Sequence, residues 1–171
     1  MKKLGPAGRN WLKGIHLTFV CTWIGAAASM LLVTSVFRAS PPTEGESLFA
    51  VNSAIKLIDD FIVIPSALGC LLSGLVYSLF TNWGFFRHHW VTVKWVVTLA
   101  TIIFGTFWLG PWLNGMTAIS GKIGLTALSD PEYLSMRQLN TTFGYIQVAV
   151  LIATVFISVF KPWKRKTVRE S

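Results

Sequence analysis

Charge is what this sequence has least of. Only 13% of its 171 residues are Asp, Glu, Lys or Arg, against 53% apolar. Soluble domains carry about twice that share of charge, so the apolar side chains here cannot all be hidden from water in a globular core. Cysteine is nearly absent as well. Cys21 and Cys70 both fall in apolar runs and form no C-x-x-C pair, which excludes a disulfide framework and a thioredoxin-type motif. No internal repeat and no low-complexity tract is visible, and the first apolar run is not closed by the A-x-A site of a cleaved signal peptide. What remains is one domain's length of chain that belongs in a membrane.

Four runs are long enough to cross a hydrocarbon layer of roughly 30 Å, which takes about 20 apolar residues: residues 15–37, 61–80, 90–112 and 143–160. The expected fold is therefore all-α, a four-transmembrane-helix antiparallel bundle forming a single integral membrane domain over residues 1–171. Lys2, Lys3, Arg9, Lys13, Arg87, Lys161, Lys164, Arg165, Lys166 and Arg169 share one side, while Arg38, Lys56, Lys122 and Arg137 take the other. The positive-inside rule then puts both termini in the cytoplasm of a multi-pass protein of the cell membrane. The net charge of +8 becomes a topology signal and an attraction to anionic headgroups of the bilayer, with no nucleic-acid partner implied.

Punctuation between the runs suggests that helices two and four extend on the outer side. Thr43 and Glu46 stand at capping-box spacing, and Ser129, Pro131 and Glu132 repeat the device, starting helix four near Asp130. Pro65 predicts a kink in helix two. Asn114 to Leu128, glycine-bearing and weakly polar, reads as the longest loop.

Lipid is as apolar as leucine, so small and polar residues mark the inward faces. Helical spacing aligns His16, Trp23, Ala27 and Thr34 on helix one, and Asp59, Ser66, Cys70, Ser73 and Tyr77 on helix two. It aligns Lys94, Thr98, Thr101, Gly105, Trp108 and Trp112 on helix three, and Asn140, Gln147, Thr154 and Ser158 on helix four. His16, Lys94 and Tyr77 then converge on the inner layer, with His88 and His89 in the adjacent loop. Asp59, Asn140 and Gln147 converge on the outer layer. Ionisable groups at membrane depth are candidates for function because burying a charge is expensive. A buried imidazole is held neutral, the form that ligates metals. Plainer roles compete with these: an interfacial histidine, a lysine snorkelling to the surface, and an Asp60 paired with Lys56 one turn away while Asp59 points elsewhere. Trp11, Trp83, Trp90, Trp112 and Trp163 read as interfacial anchors, and only Trp23 and Trp108 as interior.

Trp11, Lys13, His16, Trp23 and Gly25 together resemble the first helix of the HemJ-type protoporphyrinogen oxidases. They are also similar to the related copper-resistance D-type and urate-oxidase N-terminal membrane domains. "WVTVKW", with Trp90 and Lys94, is similar to the W-x-x-x-K segment of that superfamily, and the whole chain is most similar to its Gram-positive bacterial members. The resemblance implies b-type haem held by His16 as metal ligand, with Lys94 nearby. The first helix departs from HemJ after Trp23, where "GAAASMLLVTSVF" carries neither arginine nor tyrosine. The expected function is a haem-binding redox protein, a possible membrane oxidoreductase, with Trp23 and Tyr77 as pocket walls and a quinone or porphyrin as partner. The alternatives are a small transporter for a proton, metal or solute, gated by Asp59 and Gln147 with Lys94 as counter-charge, or an accessory subunit of a membrane complex. Either would suit a homo-oligomer.

Overall fold

The computed structural model describes residues 3–81 and 88–161, and among them every element is helical. Six α-helices are joined into four long rods: α1 (Pro6–Ala39), α2 with α3 (Gly45–Ile58, Ile64–Phe80), α4 with α5 (His89–Phe104, Gly110–Ile123), and α6 (Pro131–Phe160). The rods Pro6–Ala39, Gly45–Phe80, His89–Ser129 and Pro131–Phe160 are 34, 36, 41 and 30 residues long, and each is apolar enough to cross a membrane. This is the organisation of a multi-pass membrane protein. Trp83, Arg87 and Trp163, and the cations at positions 2, 164–166 and 169, lie outside the described residues.

The second and third rods are each interrupted by a π-helical turn, Asp59–Val63 and Gly105–Leu109. Both turns end two residues before a proline, Pro65 and Pro111. Proline lacks an N–H and crowds the carbonyl four residues back. Widening the preceding turn relieves that crowding without ending the helix, and wide turns of this kind are a recognised cause of bends. The kink expected at Pro65 is thus a π turn upstream of it, and Pro111 makes a second one that the sequence reading did not anticipate.

The extra residue also moves the inward face. Thr101 is buried as expected, but beyond the second π turn the buried positions are Leu113, Met116 and Ser120. Trp108, expected inside, is 46% exposed and stacks on Phe104 at 5.3 Å. Trp90, expected as an anchor, is buried, whereas Trp11 is 76% exposed as an anchor should be.

Three local expectations are corrected. Asn114 to Leu128 is not a loop: it completes α5 and a 3-10 turn over Gly124–Ser129. Gly115 and Gly121 serve close approach, since a Cβ on Gly115 would meet Met136 Sδ at 2.5 Å and one on Gly121 would meet the Phe49 ring at 3.0 Å, while Gly124, with φ at +57°, ends α5. The Thr43 and Glu46 capping box is not formed. α2 begins at Gly45 without a side-chain cap, with its first residue seated against Gly124. At α6 the cap is Asp130 rather than Ser129: its Oδ1 accepts from the Tyr133 backbone N–H at 2.8 Å, with Pro131 in the first turn.

Two clusters form the core. One gathers Trp23, Val63, Ala67, Cys70 and Leu151 between α1, α3 and α6. The other gathers Leu48, Ile55, Leu113, Met116, Ala127 and Tyr133 between α2, α5 and α6. α1 lies along α3, and α2 along α5, while α3 and α4 meet sparsely. One end of the molecule is tied by the Leu4 N–H donating to the Phe80 carbonyl at 3.0 Å and the Trp95 indole donating to Ser78 at 3.0 Å. The other end carries Gly45, Gly124 and Asp130.

Candidate functional site

Half of the hydroxyls in the expected polar stripes are satisfied inside their own helix. Thr34, Thr101, Thr154 and Ser158 each donate to the carbonyl four residues back, at 2.7–2.9 Å. Such back-bonded hydroxyls fill an interface without offering chemistry. The informative side chains are those that reach across to another helix.

His16 is one of them. It sits on α1 with Nδ1 2.8 Å from Ser73 Oγ on α3, and its ring meets Tyr77 edge-on at 5.9 Å. The Ser73 hydroxyl has a single proton, which faces the carbonyls of Gly69 at 2.6 Å and Cys70 at 3.1 Å. Toward His16 the oxygen therefore accepts, so the network assigns the hydrogen to Nδ1 and leaves the lone pair on Nε2. Ser66, Cys70 and Ser73 are buried on the same face of α3. Tyr77 is only half-buried, and its hydroxyl donates to the Arg9 carbonyl at 3.3 Å.

Lys94 lies on α4, half-buried, near enough for its charge to be felt at His16 and Cys70. Its Nζ stands 5.8 Å from the centre of the Trp90 ring, which also faces Lys161 Nζ at 5.7 Å. Trp90 is thus a shared cation–π platform rather than a lipid anchor. His88 stacks on Trp90 at 6.3 Å, and His89 is exposed. Trp23, two turns along α1 from His16, is 3% exposed, and its indole N–H has no hydrogen-bond partner among the described residues. Among the described residues, no group of three or more His, Cys, Asp or Glu could hold a bare metal ion.

The outer set does not assemble as one site. Asp59 opens the first π turn, half-buried, while Asp60 pairs with Lys56 at 2.7 Å as the one-turn spacing suggests. Asn140 donates to the Leu109 carbonyl at 3.0 Å, and Gln147 lies against Gly105. The two α6 amides therefore flank the second π turn, and Asn140 supplies a polar partner where the regular ladder is broken.

Sequence reasoning missed a buried cluster at the far end. Asn52 Nδ2 donates to Ser120 Oγ at 3.0 Å and to the Tyr133 hydroxyl at 3.2 Å, and all three side chains are buried. The available signal was Asn52 itself, standing between Leu48 and Ile55 at helical spacing on an apolar face. A cavity opens beside this cluster, lined by Asn52 and Tyr133 among others.

No protein-family model, no curated protein and no solved structure matches this chain. The resemblance to the HemJ-type superfamily therefore rests on Trp11, Lys13, His16, Trp23, Gly25, Trp90 and Lys94 alone.

Proposed function

We propose that this is a haem-binding membrane protein of the redox type, with the group held at His16. Its four rods would run as an up-down-up-down bundle in the cell membrane with both termini in the cytoplasm. The observation that carries the reading is the 2.8 Å contact of His16 Nδ1 with Ser73 Oγ, whose back-bond to the Gly69 carbonyl favours Nδ1 as the donor and so Nε2 as the atom that would coordinate. Ligating histidines are held in this way, by a partner on the second ring nitrogen that sets the tautomer and the ring plane.

The donor set fits a porphyrin better than a naked ion. A bare cation needs several protein ligands gathered together, and among the described residues no group of three or more His, Cys, Asp or Glu is gathered, whereas a haem brings four nitrogens of its own and would ask the chain for an imidazole. Lys94 supplies a cation suited to a propionate. Trp23 supplies a buried indole donor that has no partner among the described residues. Bound haem would contribute one-electron exchange, with quinone as the partner class. The residues of this chain would orient the ring, exclude water and balance carboxylate charge. A permeation path through the interrupted rods has weaker support, because Pro65 and Pro111 account for both interruptions.

The test is an absorption spectrum of detergent-purified protein after haem supplementation. A Soret band is expected in the wild type and absent in His16→Ala, with haem affinity about 10-fold or more weaker in Ser73→Ala. A wild type without the band, or an H16A variant that keeps it, overturns the reading.

A further inference from the structure

We propose that the end of the bundle opposite His16 carries a binding site for an oxyanion head, the carboxylate or phosphate of a ligand that stays mostly outside the protein. The cavity there is lined by Arg38, Arg137, Asn52, Tyr133, Asn140 and Thr34 among others, and no lining residue is acidic. It offers about 30 Å³ of room for solvent, and about 480 Å³ when the space out through its open mouth is counted. Its inner part holds one or two water-sized atoms, which suits the oxygens of a headgroup and excludes a whole organic molecule.

The lining chemistry is one-sided. Arg38 and Arg137 are two of the few cations on this side of the chain. Among the described residues the only ion pair is Lys56 with Asp60, so neither arginine has a carboxylate partner. Arg38 is exposed and Arg137 half-buried, so an anion seated in the cavity would have two cations of one sign beside it at the edge of an apolar slab. Arg137 is steadied over the Tyr133 ring at 5.9 Å, and guanidinium forks match the paired oxygens of carboxylate and phosphate. The Tyr133 hydroxyl accepts from Asn52 and so keeps its own proton to donate. The two amide hydrogens of Asn52 are spent on Ser120 and Tyr133, so Asn52 holds the Tyr133 hydroxyl in place before any ligand arrives and does not itself donate to one.

The shared chemistry has two sources, a dissolved anion or a lipid headgroup, and the experiment separates them. Thermal unfolding of the full chain is followed in detergent with inorganic phosphate or acetate against sodium chloride at equal ionic strength. It is repeated in nanodiscs of phosphatidylcholine with and without phosphatidylglycerol. The midpoint is expected to rise by several degrees with an oxyanion: with free phosphate or acetate if the ligand is soluble, and only with phosphatidylglycerol if it is a headgroup. The rise is expected to vanish in Arg38→Gln and Arg137→Gln and to survive in part in Arg137→Lys. Should R137Q fail to fold, the exposed Arg38 carries the test. Absence of any rise in the wild type, or an equal rise in R38Q, overturns the proposal.

Discussion

At the scale of single residues, the molecule separates polar groups that fill space from polar groups that bind something. A threonine bonded to its own helix is satisfied wherever the helix goes, whereas Asn52 depends on Ser120 and Tyr133, which lie far away in sequence. Replacing Asn52 by Leu removes both bonds and leaves two buried hydroxyls to find new partners. The expected cost is about 1–2 kcal/mol of unfolding free energy, from the penalty for stranded polar groups and the smaller values measured between membrane helices. Chemical denaturation in mixed micelles measures it. A loss within error of zero would show that water already satisfies this cluster.

At the scale of elements, the closest seam is between α1 and α3, where Gly69 faces the Phe19 ring with no room for a Cβ. Small residues let membrane helices approach where the hydrophobic effect cannot drive them together. Gly69→Val must push the two helices apart or swing Phe19 off its rotamer, at an expected cost of about 1–3 kcal/mol. Phe19→Ala in the same molecule should return part of that loss, because residues in contact are not additive. Ser73 lies one turn from Gly69 on the same helix, so G69V should also weaken the proposed haem binding without touching His16. A double variant no more stable than G69V would place the strain elsewhere.

At the scale of the whole molecule, the asymmetry of cations remains the strongest statement about orientation. With Cys21 and Cys70 replaced by alanine, a single cysteine at Thr43 is expected to react with a membrane-impermeant maleimide on intact cells. A single cysteine at Lys3 should react only after lysis. The reverse pattern would turn the protein over and put His16 near the outer surface and the arginine cavity inside. The two sites lie at opposite ends of one bundle, joined by rods whose interruptions are both set by proline.

The amino-acid sequence by itself determined the number of apolar rods, their approximate positions, and the inward faces of α1 and α3, because those follow from length, composition and a regular 3.6-residue period. His16, Ser73, Cys70 and Trp23 were legible for that reason, and so was the Lys56–Asp60 pair. Only the tertiary structure decided which face of the third rod turns inward beyond Gly105. One inserted residue shifts every later position, and although Pro111 marks the break, the regular period read across it does not carry the shift, which is why Trp108 came out exposed and Ser120 buried. The arginine cavity was hidden for a related reason: its walls come from α1, α2, α5 and α6, and the charge count that placed Arg38 and Arg137 on one side of a membrane says nothing about their distance from Tyr133. Periodicity is a property of one helix, whereas a site made by four helices depends on how they are stacked.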